Sequence, residues 1–301
     1  REPRFERTRR PAPTARNDAN PERTANAEVA KGEPGASWSP DPAAAAPAPR
    51  APAVPAANRA GGFSIARQLG LGISRVVIDA GHGGRDPGAR VKGLNEADLT
   101  LDVAQRLEKL LLEVRGVEVI MTRRQDVYIP LEERTAIANR AGADLFLSIH
   151  VNASRNTKAY GIETYFLNFA PNPEAEAIAA RENAGSSKSM RNLPDIVKAI
   201  ALNNKIDESR DFATLIQSSM IGRLKKTNRD ARSLGVKQAP FVVLIGATMP
   251  SVLAEISFLT NRHEASLLRT PAYRQAIAEA LFDGVSKYQR SLKAAERADV
   301  Q

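Results

Sequence analysis

Cysteine is absent from this chain of 301 residues, and its absence excludes disulfide bonds, thiolate metal ligands and a cysteine nucleophile. Histidine is scarce, with three residues in the whole chain, so a histidine-based site has few candidates. No apolar run approaches the ~18 residues that a membrane-spanning helix needs. We therefore expect no transmembrane segment. The lack of cysteine is compatible with an oxidising compartment but does not require one.

Large aliphatic residues are almost missing from residues 1–60. This segment instead holds 11 of the 19 prolines and long alanine-proline stretches. Such a composition cannot bury enough apolar surface to offset the entropy lost on ordering. We expect residues 1–60 to form a disordered Ala/Pro-rich linker and residues 294–301 to form a short C-terminal tail. The folded domain is then predicted to span residues 61–293.

The formal net charge is +9, of which +3 falls on residues 1–60 and +6 on residues 61–301. A basic excess of this size suits anionic polymers, including those of a cell envelope, and equally nucleic acid. No concentrated stripe of basic and aromatic residues is present, so we expect no nucleic-acid partner. The sequence also lacks a charged-then-apolar leader, and we expect any export signal to be missing from this chain.

Two apolar runs of β type each stop at a histidine. One run, residues 76–84, contains His82 within a glycine-rich stretch, and the other ends at His150. Side chains at the ends of adjacent strands of an α/β sheet converge on one crevice, so two such imidazoles can share a metal ion. The glycines allow the backbone near His82 to approach a ligand closely. The alternative is that each histidine is an ordinary strand-end residue.

Glu96 is the nearest candidate for a third metal ligand. Zinc in a catalytic site takes three protein ligands and keeps a fourth position open for water or substrate. Glu96 follows the glycine-rich loop and opens a predicted helix, with Asn95 as a suitable N-cap and Asp98 in the first turn. The alternative is a solvated first-turn acid that only complements the helix dipole.

Glu255 lies inside the apolar run 250–259. An unpaired carboxylate in such surroundings is expensive to bury, so this acid must be paired, protonated or functional. A carboxylate beside an activated water can take the water's proton and later pass it to a leaving amine. We predict that Glu255 is the general base. The alternative is a structural salt bridge to a basic residue.

The apolar pattern alternates between β and α periods, which indicates an α/β domain with three αβα layers and a largely parallel central sheet. Arg123 and Arg134 could reach the rim of the site, and we expect them to be structural charges rather than substrate clamps.

Predicted strands cover residues 75–80, 117–122, 144–150, 161–167, 241–245 and 252–257. A short amphipathic segment covers 63–69, and predicted helical segments cover 96–115, 131–141, 172–185, 193–202 and 271–288, with a mainly helical stretch continuing to about 228.

Five segments within about residues 64–290 resemble, in chain order, the signature segments of the N-acetylmuramoyl-L-alanine amidases: IDAGHGGRDPGA (78–89), NEADLTLDVAQRL (95–107), SIHVNA (148–153), GIETYFL (161–167) and PSVLAEISFLTN (250–261). Five ordered motifs are far more specific than one. The resemblance implies that His82, Glu96 and His150 bind Zn²⁺ and that Glu255 is the catalytic glutamate. His263 falls outside the matching positions, and we expect it to be exposed near a helix start.

Residues 170–208 exceed what a minimal fold of this class needs and form a predicted helical insertion. Ile178 is the only large aliphatic residue within 174–185, so we expect this first helix to pack weakly and to move. In cell-division members of the resembled family, such insertions are implied to cover the zinc until an activator protein of the LytM-like kind displaces them. Glu174, Glu176 and Glu182 are the acids that could occupy the open zinc position, and Glu182 is our candidate among them. A passive groove wall is the alternative.

The resemblance thus implies a zinc amidase of the periplasm or cell envelope. Its reaction is hydrolysis of the bond between N-acetylmuramic acid and L-alanine in peptidoglycan, for wall remodelling and daughter-cell separation. Two alternatives remain open: a zinc peptidase acting on stem-peptide bonds, and a non-catalytic peptidoglycan-binding module. We expect no cofactor besides Zn²⁺, and a monomer is the default expectation.

Overall fold

The computed structural model describes residues 57–58, 61, 72–171, 173–186 and 205–293. Several predicted parts lie outside these described residues: the amphipathic segment at 63–69, the helical segment at 193–202, the tail at 294–301 and nearly all of the expected linker. Within the described ranges, no helix combines the length and the apolar character needed to cross a membrane.

The elements alternate between strands and helices, as the apolar pattern predicts. In the described residues the strands are β1 (Arg75–Ala80), β2 (Arg90–Val91), β3 (Leu94–Asn95), β4 (Glu118–Met121), β5 (Leu145–Asn152), β6 (Ile162–Leu167), β7 (Ser233–Ala239) and β8 (Ser251–Phe258). The helices are α1 (Glu96–Leu112), α2 (Leu131–Arg140), α3 (Pro173–Glu182), α4 (Ile206–Leu224), α5 (Arg262–Leu268) and α6 (Pro271–Lys293).

Six strands form one sheet in the order β4-β1-β5-β8-β6-β7, and β2 pairs with β3 in a separate hairpin. Strands β4, β1, β5 and β8 are mutually parallel, whereas β6 runs antiparallel to β8 and parallel to β7. The prediction of a largely parallel sheet is confirmed, with a single antiparallel junction. This junction places Glu255 between His150 of β5 and Glu163 of β6 in the ladder.

Apolar side chains of the sheet pack into two cores, one on each face, which confirms the three-layer architecture. Alternation along each strand divides the side chains between the faces, so Val76 and Ile78 join one core while Val77 joins the other. Helices α1, α4 and α6 cover the first face, and α2 and α3 contribute to the second. Because β1, β5 and β8 are parallel neighbours, their carboxyl ends lie at the same edge of the sheet, beside α3.

The predicted strand at 241–245 is wrong, because this run forms a 3-10 turn, Val242–Leu244, that is buried in the second core. The strand lies instead at Ser233–Ala239, just before Pro240. That strand stands at the sheet edge and is only partly buried, so it needs no apolar run. A short apolar run predicts burial and does not distinguish a buried turn from a strand.

Other boundaries agree with the predictions to within a few residues, with two exceptions. The helix expected to reach about 228 ends at Leu224, and the last helix, expected over 271–288, continues to Lys293. Asn95 does precede α1, but its side chain makes no capping hydrogen bond and donates to Asp98 Oδ2 instead. The insertion forms α3, followed by a 3-10 turn at Asn183–Gly185. Its apolar contact is small and consists of Ala175, Ile178 and Ala179.

Replacing Phe241 with alanine tests the buried turn. This side chain is fully buried and meets the Tyr165 ring edge-on at a centroid separation of 4.9 Å. We expect Phe241→Ala to lower the free energy of unfolding by about 3–5 kcal/mol in denaturant titrations. Leu112→Ala, at a position 56% exposed, is the control and should change it by about 0.5 kcal/mol or less. A similar small loss for Phe241→Ala would contradict the packing described.

Candidate metal centre

His82 and His150 converge at the carboxyl edge of the sheet, as predicted. His82 follows β1 and His150 lies near the end of β5, and their ring centroids are 4.8 Å apart. The close approach requires glycine at position 81, since a Cβ there would lie 2.6 Å from two atoms of the His150 ring. His82 itself has a φ of 59°, which is uncommon for a residue other than glycine.

Glu96 opens α1 and is buried between the two histidines. Its Oε1 atom lies 3.2 Å from Nε2 of His82 and 3.2 Å from Nδ1 of His150. The backbone N–H of Val151 donates to Oε1, and the N–H of Ala89 donates to Oε2. The carboxylate is therefore oriented by the backbone of β5 and of the glycine-rich loop. It is not a solvated first-turn acid.

Glu182, at the end of α3, supplies a fourth donor to the same cluster. Its Oε2 atom lies 3.1 Å from Nε2 of His82 and 3.0 Å from Nδ1 of His150. Arg181 contacts the other carboxylate oxygen and also donates to Asn152 Oδ1. The structure thus brings Glu182 together with the three ligands predicted from the sequence.

The donor set fits a tetrahedral divalent metal ion. One atom from each of His82, Glu96, His150 and Glu182 lies within 4.8 Å of the others. Donors bound to a tetrahedral zinc would be about 3.3 Å apart, close to the shortest separations here. Nε2 of His82 and Oε2 of Glu182 are buried, and although they are close together, neither atom makes a hydrogen bond of normal geometry within the described residues. Asp86 Oδ2, 2.9 Å from Nδ1 of His82, holds that ring with Nε2 towards the cluster.

The buried charges of the cluster perturb one another strongly in the metal-free protein. Burial lowers the pKa of His82, but Glu96 and further acidic neighbours raise it to about 12. Burial likewise lowers the pKa of His150, and Glu182 raises it to about 9. Burial raises the pKa of Glu96, yet His82 brings it down to about 2. Without a metal, the imidazoles therefore carry the positive charge that the carboxylates require.

Glu255 lies in β8, next to His150 in the sheet ladder. Its side chain is fully buried, and in the part of the chain that the structure describes neither carboxylate oxygen has a hydrogen-bond partner. Burial raises the pKa of Glu255 well above its ordinary value, and the charge of Glu182 raises it further. The carboxylate is therefore not the structural salt bridge considered as the alternative. Both oxygens are free to accept a proton.

A polar network that the sequence analysis missed adjoins Glu255. Glu163 is buried opposite Glu255 in β6 and accepts hydrogen bonds from Asn152 Nδ2 and from the Tyr165 hydroxyl. Lys237 Nζ of β7 lies 2.6 Å from the other Glu163 oxygen. The available signal was an acid facing inward in the strand segment 162–167, the same signal that drew attention to Glu255.

The remaining candidate residues lie outside the cluster. Arg123 and Arg134 are buried beneath it and donate to backbone carbonyls, so they are structural charges rather than residues of an exposed rim. His263 is exposed in the first turn of α5, as expected. Asp86 was missed as a partner of His82, although an acid four residues further on in a glycine-rich loop was a usable signal.

Comparison with known proteins matches residues 76–287 to the N-acetylmuramoyl-L-alanine amidase family. The amidase AmiA of Escherichia coli K12 is 34% identical over 219 residues, covering 71% of this chain and 75% of AmiA. A crystal structure of an N-acetylmuramoyl-L-alanine amidase from Clostridium difficile 630 is 30% identical. It superposes with a TM-score of 0.57 and covers 72% of this chain and 97% of that one.

A second solved structure is the CwlD amidase of Clostridioides difficile in complex with the GerS lipoprotein. It is 27% identical, with a TM-score of 0.54, and covers 71% of this chain and 98% of that one. The fold and the metal-fitting cluster define an α/β enzyme with a buried centre of histidine and glutamate. The chain belongs to the N-acetylmuramoyl-L-alanine amidase family and is an enzyme of that class.

Removing either histidine tests the metal centre. His82→Ala and His150→Ala should each abolish stoichiometric binding of a divalent metal, because the ligands that remain hold the ion poorly. Metal content of purified protein, measured by inductively coupled plasma mass spectrometry, reports the loss. His263→Ala, which changes an exposed histidine, is the matched control and should keep the metal. Retention of one metal per chain in His150→Ala would remove His150 from the site.

Proposed function

We propose that this enzyme uses Zn²⁺ to hydrolyse the amide bond between N-acetylmuramic acid and L-alanine in peptidoglycan. One observation carries the proposal: a donor cluster with unsatisfied buried atoms lies beside Glu255, a buried carboxylate that accepts no hydrogen bond from any described residue. Membership of the amidase family supports the bond that is cleaved. His82, Glu96 and His150 would hold the metal, and the bound ion would supply Lewis-acid polarisation of the scissile carbonyl and a water with a pKa near 7.

Glu255 carries out the proton transfers. Its position next to His150 in the ladder places the carboxylate beside the cluster, with both oxygens free to accept the proton of the attacking water. Glu255 then holds this proton until the amide breaks. The same carboxyl group then donates that proton to the departing alanine nitrogen. Burial on all sides excludes bulk water from this exchange.

Digestion of purified peptidoglycan tests the reaction. Mass spectrometry of the products should detect free stem peptides and intact glycan strands. Shortened stems still attached to the glycan would identify a zinc peptidase. Binding without any product would identify a non-catalytic module. Either of these two results would overturn the proposed reaction.

Glu255→Gln separates the general base from the metal ligands. Glutamine is nearly isosteric but cannot accept the proton, so turnover of peptidoglycan should fall by about 10²-fold or more while the zinc content stays at that of the parent. Glu113→Gln, which changes an exposed glutamate, is the control and should leave turnover unchanged. Near-normal turnover in zinc-loaded Glu255→Gln would show that this carboxylate is not the base. Loss of zinc would instead make it a ligand.

We also propose that α3 inhibits the enzyme through Glu182. This carboxylate contacts both histidines and takes the fourth donor position that water or substrate needs. Polar contacts rather than apolar area hold the following turn. The side chain of Asn183 binds Pro240 O and Val242 N, and the Tyr128 hydroxyl donates to Gly185 O. Such contacts can be exchanged for those of a partner more easily than a packed core can.

Activation then requires a partner that binds the open form better than the closed form. A protein of the LytM-like kind is our candidate. A lipoprotein is the partner in the CwlD complex, which supports regulation by a second protein in principle. An enzyme that stays inactive until a partner protein binds it suits daughter-cell separation in the periplasm or cell envelope. We propose that setting and role for this chain, with the enzyme acting as a monomer.

Glu182→Ala tests the inhibition. Basal hydrolysis of purified sacculi without activator should rise about tenfold or more, the change that corresponds to ~1.4 kcal/mol of lost stabilisation of the closed form. Deletion of residues 172–190 should raise it at least as much. Glu176→Ala, which changes an exposed glutamate on the same helix, is the matched control and should hydrolyse sacculi at the rate of the parent. Equal hydrolysis by all four folded, zinc-loaded proteins would make α3 a passive groove wall.

A further inference from the structure

The loop that carries His82 depends on side chains beneath it. Its left-handed φ of 59° costs free energy for a residue with a Cβ, so neighbouring contacts must maintain this conformation. The carbonyl groups of Ala80, Gly81 and His82 all accept hydrogen bonds from side chains. Two buried guanidinium groups, from Arg123 and Arg134, supply most of these donors.

Arg134 of α2 joins the end of β1 to the loop. Its Nη1 atom donates to Asp79 Oδ1 at 2.8 Å and to Ala80 O at 2.7 Å, and its Nη2 atom donates to His82 O at 2.8 Å. Its Nε atom donates to Ile129 O at 3.0 Å. One planar group thus binds the carbonyls on both sides of Gly81. The peptide plane of His82 is thereby oriented.

Arg123 joins the same loop to α1. Its Nε atom donates to Ala80 O at 2.9 Å, and its Nη2 atom donates both to Gly81 O and to Ala97 O at 2.8 Å. Ala97 directly follows Glu96, so a single guanidinium contacts the backbone next to two metal ligands that come from different elements. A lysine ammonium is a point charge and cannot reproduce this planar fork.

The charges around Arg123 and Arg134 favour a role for these residues in addition to stabilising the fold. Asp79 pairs with Arg134 and also accepts from the hydroxyls of Thr122 and Ser148. Arg123 is buried as well, yet among the described residues it makes no ion pair of its own and is held mainly by carbonyl oxygens. Burying a charge without a counter-charge is costly, and an apolar side chain would serve packing better.

We propose that Arg123 and Arg134 are positioning residues that set the separation of His82 and Glu96 before the metal binds. The inference rests on the proposed metal centre. Partners of this kind typically change metal affinity by about 10–100-fold, because they keep the donors in place when the site is empty. The expected consequence is a loss of affinity that is separable from a loss of fold stability.

The test measures Zn²⁺ affinity of the full chain by competition with a chromophoric chelator, together with the absorption spectrum of the Co²⁺-substituted protein. Arg134→Lys and Arg123→Lys should each weaken Zn²⁺ binding by about 10–100-fold and alter the Co²⁺ spectrum. Leu281→Ala, which removes a fully buried side chain from α6, is the control for destabilisation. It should lower Tm but keep the parent's affinity and spectrum.

Thr100→Val extends the test if a lysine variant fails to fold. The Thr100 hydroxyl donates to Gly81 O at 2.9 Å, so the nearly isosteric valine removes one donor from the same loop. It should also weaken Zn²⁺ binding, by a smaller factor. Lower Tm with parental affinity and spectrum in the folded arginine and threonine variants would overturn the proposal. If His82→Ala also kept parental affinity, the metal centre itself would be wrong, and the proposal would fail with it.

Discussion

The structure depends on placing two imidazoles and three carboxylates in one buried space. Glu96, Glu182 and Glu255 lie on or beside His82 and His150, where water cannot screen their charges. Without a cation, the histidines must be protonated to balance the acids, and their raised pKa values express this demand. A divalent metal would meet the same demand while leaving the imidazoles neutral. The glycines and backbone donors around the site serve to keep these groups close together.

The sheet supplies the rigid part of this arrangement. His150 and Glu255 are ladder partners on adjacent parallel strands, so their backbone separation is set by hydrogen bonding between the strands. The antiparallel junction then places Glu163 on the far side of Glu255. The proposed ligand His150 and the proposed base Glu255 therefore lie on strands with two packed faces. Such elements move less than loops do.

The fourth donor comes from a different kind of element. α3 lies against the second core through a few small apolar side chains, and polar contacts hold its end. Its carboxylate nonetheless reaches the centre of the cluster. A strong local interaction at Glu182 is thus combined with a modest attachment of the rest of the helix. In the proposed regulation, this combination would allow one carboxylate to close the site and a partner's contacts to open it.

Much of the fold could be predicted from local patterns. Strands β1, β5, β6 and β8 are mainly apolar because they are buried on both faces, and α1 shows a regular helical spacing. The edge strand β7 escaped prediction because a partly exposed strand needs no apolar run. The neighbouring run at 241–245 was misassigned because burial alone does not specify backbone conformation.

The sequence by itself determined which residue types are available for chemistry. The sequence has no cysteine and places two of its three histidines at strand ends, which indicated His82, Glu96 and His150 as metal ligands. It also indicated Glu255 as an acid within a buried strand. Only the tertiary structure decided which partners these residues have. Asp86 orients His82, Glu163 lies opposite Glu255, and two arginines bind the carbonyls of the His82 loop. These contacts join residues from different elements, and their distances depend on sheet order, register and helix packing, which no local pattern encodes.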